Sequence, residues 1–146
     1  MHIKDLKKII YVSMNRVRQL YWDDIPHFYL KPIKPQVKDF HSSFQNTRLK
    51  ETILARLRTG HTHITHGFLF DKEEPPICHH CPQHPRYTVA HFLLHCPHLH
   101  QHRHRMIQYT TNNAIGPTLP VLLGDEHPEL IDILFEFIEK KISPNI

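Results

Sequence analysis

Cys78 and Cys81 enclose two residues, nine more separate Cys81 from His91, and four separate His91 from Cys96. No other feature of the chain constrains its fold as strongly. Thiolates and neutral imidazoles are good zinc ligands, and a structural site takes four of them in a tetrahedron. The two-residue gap lets a tight knuckle turn aim Cys78 and Cys81 at one point. A straight helix running on from His91 would turn Cys96 by about 500° over five positions, leaving the two side chains roughly 140° apart. The helix is therefore expected to end between them, because Pro97 disfavours α geometry at Cys96. His95 competes with His91 for the fourth ligand position, and His79, His80 and His84 lie in the same loop and offer further substitutes. In the metal-free alternative the cysteines are small buried hydrophobes and the histidines polar surface.

An odd count of three cysteines, two of them a close pair beside histidines, favours metal binding over a disulfide framework and fits a reducing compartment. No apolar run approaches the length of a membrane span, and MHIKDLKKIIYV lacks the apolar stretch and cleavage site of a secretory signal. The expectation is a soluble intracellular protein, cytoplasmic or nuclear, with no membrane partner.

The chain is long enough for one domain, but twelve prolines against four glycines keep its regular elements short and its loops prominent. Ile3, Leu6, Ile10, Met14, Val17 and Tyr21 recur at steps of three and four, predicting an amphipathic helix that Pro26 bounds. Residues 27–36, with Lys31-Pro32 and Lys34-Pro35, should form an extended connector. A second helix should open between Ser43 and Thr47, bury Leu49, Ile53, Leu54 and Leu57, and stop at Gly60. Its other face bears Arg48, Lys50, Arg56 and Arg58. Thr62 can cap a short helix carrying Ile64, Phe68 and Leu69. Thr88 can cap another through Val89, Phe92 and Leu93, and a further short helix is expected over residues 99–110. A last helix starts near Pro128, with Leu130, Ile133, Leu134, Phe137, Ile138 and Ile142 on one side, and Lys140 and Lys141 near its negative end. The fold expected is mostly α, a small irregular helical domain stapled by one zinc site. It has three parts: an N-terminal amphipathic helix and proline-rich connector over residues 1–40, a basic helix and zinc-knuckle-like module over 41–110, and a loop with a C-terminal amphipathic helix over 111–146.

The net charge of +4 hides an asymmetry. Residues 1–60 carry twelve Lys/Arg against five Asp/Glu, a net +7, while residues 121–146 contribute −4. A basic N-terminal part suits an anionic partner such as nucleic acid, and it equally suits a solvated surface. Arg48, Lys50, Arg56 and Arg58 are the candidate phosphate contacts. The stripes of residues 3–24 and 128–142 either pack together as a core or dock a protein partner.

RLRTGHTHITHGFLF at residues 56–70, then PPICHHC, then TVAHFLLHCP with Arg103 or Arg105 beyond, closely resembles the C-terminal tail of jockey-like non-LTR retrotransposon reverse transcriptases. The resemblance is strongest over about residues 44–105, and LPVLLGDEHPELIDILFEFI looks like the segment that closes those polyproteins. The resemblance implies a zinc motif on Cys78, Cys81, His91 and Cys96 that engages RNA or single-stranded DNA. It also singles out Arg56, Arg58, Gly60, His61, Thr62 and His66, with His61 and His66 either bonding within the fold or touching nucleic acid. His61, Arg103 and Arg105 thereby join the candidate nucleic-acid residues.

Catalysis is not expected. A catalytic zinc needs an open position and a carboxylate base, and the nearest acidic residues, Asp71, Glu73 and Glu74, lie upstream of the knuckle. Tyr21-Trp22-Asp23-Asp24 mimics a polymerase Tyr-x-Asp-Asp but ends a helix, without flanking strands or a third carboxylate. The polymerase, endonuclease and ribonuclease H parts of such polyproteins are absent from this sequence, so the resemblance implies a stand-alone fragment or domesticated remnant.

Overall fold

The computed structural model describes residues 3–71 and 73–141. These residues form a mostly helical fold, and no strand occurs among them; the one β-type contact is an isolated antiparallel bridge between Ile77 and Arg86. The helices are α1 (Ile3–Asp24), α2 (Arg48–Thr59), α3 (His63–His66), α4 (Phe68–Asp71), α5 (His104–Asn112), α6 (Leu119–Leu123) and α7 (Pro128–Lys141). A π-helical turn covers His91–His95, and 3-10 turns cover His41–Ser43, Pro97–Leu99 and Gln101–Arg103. No described helix is long and apolar enough to cross a membrane.

Local chemistry explains the helix boundaries. The Thr47 hydroxyl accepts from the Lys50 N–H at 3.3 Å, satisfying one of the free donors that open α2. Gly60 closes α2 at φ 76°, donating to the carbonyls of Arg56 and Leu57. A side chain there would also crowd the Tyr29 ring, whose nearest atom lies 3.1 Å from where its Cβ would stand. Thr62 then caps α3 reciprocally with Thr65.

The core joins Ile53, Leu54 and Leu57 of α2 to Leu122 and Leu123 of α6 and to the buried side of α7. Val89, Phe92 and Leu93 enter the same core, and Phe92 meets Phe137 with ring centroids 5.2 Å apart. Leu130, Leu134, Phe137 and Ile138 are buried as the spacing predicts, and Ile131 and Phe135 are buried as well, so α7 is covered over a wider arc than one stripe. Ile142 and the Lys141 side chain lie outside the described residues. Residues 111–146 hold α6 as well as α7, although the sequence pattern predicts a loop ahead of the last helix.

Three expectations need correction. Leu49 is 66 % exposed rather than buried: it stands in the first turn of α2, one turn ahead of Ile53 and at the edge of the arc that carries Ile53, Leu54 and Leu57. The α1 stripe does not join the core: α1 buries none of its residues, and Ile3, Leu6, Ile10, Met14, Val17 and Tyr21 are all exposed. Arg58 belongs to the interior rather than to a basic outer face. Its guanidinium donates to the Leu123 carbonyl at 2.8 Å and to the hydroxyls of Ser43 and Ser42 at 2.8 and 2.5 Å, and it covers the Phe40 ring. Asp125 accepts from the backbone N–H groups of His41 and Ser42 at 2.8 and 2.7 Å. Burial raises the Asp125 carboxyl, but these donors and the charge of Arg58 outweigh it and hold it below the usual range. Burial also pulls Arg58 down to about 10, so it stays charged at neutral pH.

Removing this cation strands several buried acceptors. Arg58→Ala should lower unfolding stability by about 3 kcal/mol in urea titration, whereas Arg56→Ala, at an exposed position of the same helix, should stay within about 0.5 kcal/mol.

Candidate metal centre

Two chain segments build the site. In the first, Cys78 N–H donates to the Pro85 carbonyl at 2.8 Å, Tyr87 N–H to Pro76 at 2.7 Å, and His84 N–H to Cys81 at 2.9 Å. These bonds fold residues 76–87 into a knuckle, with His84 at φ 42° accommodating the reversal. In the second, the Thr88 hydroxyl accepts from the His91 N–H at 3.0 Å and starts the turn. Cys96 N–H donates to the His91 carbonyl at 2.8 Å, a bond across five residues rather than four. Such a turn is wider than α-helix, so it brings Cys96 back under His91 instead of leaving it far around the axis. Cys96 itself is extended, at φ −64° and ψ 115°, as the following proline requires.

Cys78, Cys81, His91 and Cys96 are all buried, and one ligand atom from each lies within 4.8 Å of every other. Sγ of Cys78 stands 3.8 Å from Sγ of Cys96, and Sγ of Cys81 stands 3.5 Å from Nε2 of His91. The cysteines are free thiols. His95, the rival ligand, is exposed and outside the group, as are His79, His80 and His84.

The electrostatics of the cluster are those of a site that a cation would relax. Burial pushes the Cys81 thiol up to about 11, and the neighbouring sulfurs of Cys78 and Cys96 push in the same direction. Burial also raises Cys78, but donors around it, the His80 N–H and the other two thiols among them, outweigh burial and bring it below the usual thiol range. Cys81 is thus held as the thiol while Cys78 leans toward the thiolate, and a divalent ion would favour the thiolate at each cysteine it binds. Burial, then the charges of His95 and Arg103, lower the His91 pKa, which keeps the imidazole in its ligating, neutral form.

Arg103 supplies an independent test of the fit. Its side chain is buried, one nitrogen donates to the Leu94 carbonyl, and Nε and Nη2 have no partner among the described residues. Burial lowers its pKa and the charge of Cys96 opposes that shift. A divalent ion held by three thiolates and an imidazole carries a net charge of −1, which an unpaired buried guanidinium beside Cys96 would balance.

The candidate nucleic-acid residues separate into two sets. Arg48, Arg56, His61 and Arg105 are exposed; Arg48 pairs with Glu51 at 3.1 Å, Arg105 pairs with Glu136, and His61 stacks on His66 with centroids 4.1 Å apart. Lys50 is half-buried, 3.7 Å from Glu139 and above the Phe135 ring. Arg58 and Arg103 are buried and offer no outer surface, which corrects their assignment as phosphate contacts. Two surface features escape the sequence motifs: Arg86, exposed beside Phe68, and a pair of stacked imidazoles, His80 and His98, 4.0 Å apart at the knuckle. Clustering of histidines around Cys81 and Cys96 is the only signal in the sequence for the latter. Tyr21-Trp22-Asp23-Asp24 lies in the last turn of α1, where Trp22 donates to the Lys34 carbonyl and Asp23 accepts from Gln19.

No protein-family model, curated protein or solved structure matches this chain. Fold and site together define a small, mostly helical chain whose described residues include a buried group of three cysteines and a histidine able to hold a metal ion.

Protein prepared without chelators should carry about one divalent ion per chain by elemental analysis, and Cys81→Ser should lose most of it. Because metal ligands must be unprotonated and the folded His91 pKa is lowered, neutral His91 favours the fold fully above the ordinary imidazole pKa of about 6.5 and less as pH falls. Acidification below about pH 5.5 should therefore release the ion with loss of helical circular dichroism. An unchanged spectrum and metal content would rule the centre out.

Proposed function

We propose that this chain is a non-catalytic zinc module that binds RNA or single-stranded nucleic acid, related to the tail of jockey-like retrotransposon polyproteins. The observation that carries the metal half is the spacing of the four buried donors. A tetrahedral ion with Zn–S bonds of about 2.3 Å and Zn–N bonds of about 2.05 Å sets S···S edges near 3.8 Å and S···N edges near 3.5 Å. Cys78–Cys96 at 3.8 Å and Cys81–His91 at 3.5 Å match those edges. Zinc suits three sulfurs and one nitrogen, and binding at small sites of this type contributes about 10–16 kcal/mol of apparent free energy. That is as large as the whole stability of an ordinary domain, about 5–15 kcal/mol, so the knuckle and its neighbours would depend on the ion.

The nucleic-acid half rests on charge and surface chemistry. Arg48 and Arg56 occupy the solvent side of α2, about 12 Å apart along its axis, in the part of the chain with net charge +7. His61, Arg105 and Arg86 add exposed donors, and the imidazoles of His80 and His98 present flat faces on which unpaired bases can stack. Scattered guanidiniums and stacked rings suit a grip on phosphates and base faces rather than on one sequence.

A second reading, a zinc-stapled interaction module, is favoured by the exposed apolar face of α1.

Affinity for a short single-stranded RNA should fall steeply as salt rises. Arg48→Ala with Arg56→Ala should flatten the slope of log K against log salt by about one unit for each phosphate no longer neutralised, leaving the metal content intact. A salt-independent affinity, or none, measured by fluorescence anisotropy on metal-loaded protein would refute the nucleic-acid reading.

A further inference from the structure

α1 runs for 22 residues, about 33 Å, and buries no residue. Only Asn15, Gln19 and Trp22 are even half-buried along it. These three share one side, and the bonds that fix the helix come from there. Gln19 donates to the Pro35 carbonyl at 3.0 Å and accepts from the Val37 N–H at 2.7 Å, and Trp22 donates to the Lys34 carbonyl at 3.1 Å. The opposite side carries Ile3, Leu6, Ile10, Val17 and Leu20, which are 73, 43, 49, 50 and 62 % exposed. The held side is mixed, since Trp22 packs on Phe28 there and Tyr11 and Val12 are 63 and 58 % exposed, but the continuous aliphatic row lies opposite and faces solvent, a surface left to cover.

The order of residues on that surface says what covers it. Positions 3, 6, 10, 13, 17 and 20 alternate steps of three and four, the seam of a coiled coil over nearly three heptads. Ile3, Ile10 and Val17 fill the first core position of each heptad, while Leu6 and Leu20 fill the second, with Ser13 the one polar member. Side chains branched at Cβ in the first position and Leu in the second favour two parallel strands over larger assemblies. The flanking positions suit such a seam: Ile9 would face Met14 of the other helix and Arg16 would face Tyr21, where a guanidinium can lie on an aromatic ring.

We infer that α1 is a dimerisation helix, pairing in parallel with α1 of a second copy of this chain through Ile3, Leu6, Ile10, Val17 and Leu20. The placement of the rest of the chain allows it. Gln19 and Trp22 hold the connector on the side of α1 away from the seam, so the two bodies lie at the same end of the pair and outside it. The dimer carries two copies of the Cys78, Cys81, His91, Cys96 cluster, and it does not depend on whether that cluster binds metal or on whether the chain binds RNA.

Sedimentation equilibrium on the full chain at micromolar concentration should give the mass of two chains. Ile10→Asp with Val17→Asp should raise the dimer dissociation constant by about a hundredfold or more while metal content and the thermal midpoint of the remaining fold stay unchanged. Ser13→Leu, which completes the seam, should tighten the dimer, an effect that a solvent-facing helix would not produce. Leu20→Cys should cross-link two chains under mild oxidation, where the unaltered protein does not. A single-chain mass for the unaltered protein, a dimer that survives the double substitution, or a trimer would overturn the inference. So would a single-chain mass in solution together with co-sedimentation on vesicles of phosphatidylcholine and phosphatidylserine, since a lipid surface would then be what α1 covers. Failure of the Leu20→Cys cross-link in a protein that is dimeric would exclude the parallel alignment.

Discussion

The convergence of three sulfurs and one imidazole on a single buried point is the constraint around which the rest of the described chain is arranged. Cys78 and Cys81 come from a knuckle with a single β-type bridge, and His91 and Cys96 come from one widened helical turn. Neither segment has enough regular hydrogen bonding to be stable in isolation. Burial and the neighbouring sulfurs hold the Cys81 thiol protonated at neutral pH, and the nearby guanidinium of Arg103 is a cation without enough partners. A bound divalent ion with its thiolates would settle both. The core beside them is continuous with the site, because Val89, Phe92 and Leu93 sit on the same short segment as His91.

Two arginines turned inward change the electrostatic picture of the surface. Arg58 ties α2 to the turn at residues 41–43 and to the end of α6, and Arg103 is buried close enough to Cys96 for their charges to interact. Arg58 is held by acceptors it cannot easily exchange for water and Arg103 reaches the Leu94 carbonyl alone, so neither charge serves the outside of the molecule. The basic surface that remains is sparser than composition implies, and it includes Lys4, Lys7, Lys8, Arg16 and Arg18 of α1 together with Arg48 and Arg56 on the open side of α2.

α1 stands apart in kind. Every other long helix among the described residues spends its apolar side on the common core, whereas α1 is fastened through Gln19 and Trp22 and keeps its aliphatic seam in solvent. The hydrophobic effect acts on area without regard to chain identity, so a stripe of this size is equally well served by intermolecular burial.

Much of this was legible in the residues themselves. The ligand set was readable because coordination demands particular donor atoms at separations that short turns can close, and Cys78, Cys81, His91 and Cys96 are the group that the fold brings together. Thr47, Gly60 and Thr62 announced their helix ends because capping is local chemistry, decided within a few residues. What only the tertiary structure decided was which way each amphipathic face points. Arg58 and Arg56 are two residues apart on one helix, and nothing near them in sequence distinguishes the buried one from the exposed one; the Leu123 carbonyl, 65 positions away, makes the difference. The apolar stripes of α1 and α7 read alike, yet one is solvent-facing and the other forms the core, because burial is a property of what the rest of the chain places opposite a helix and not of the helix alone.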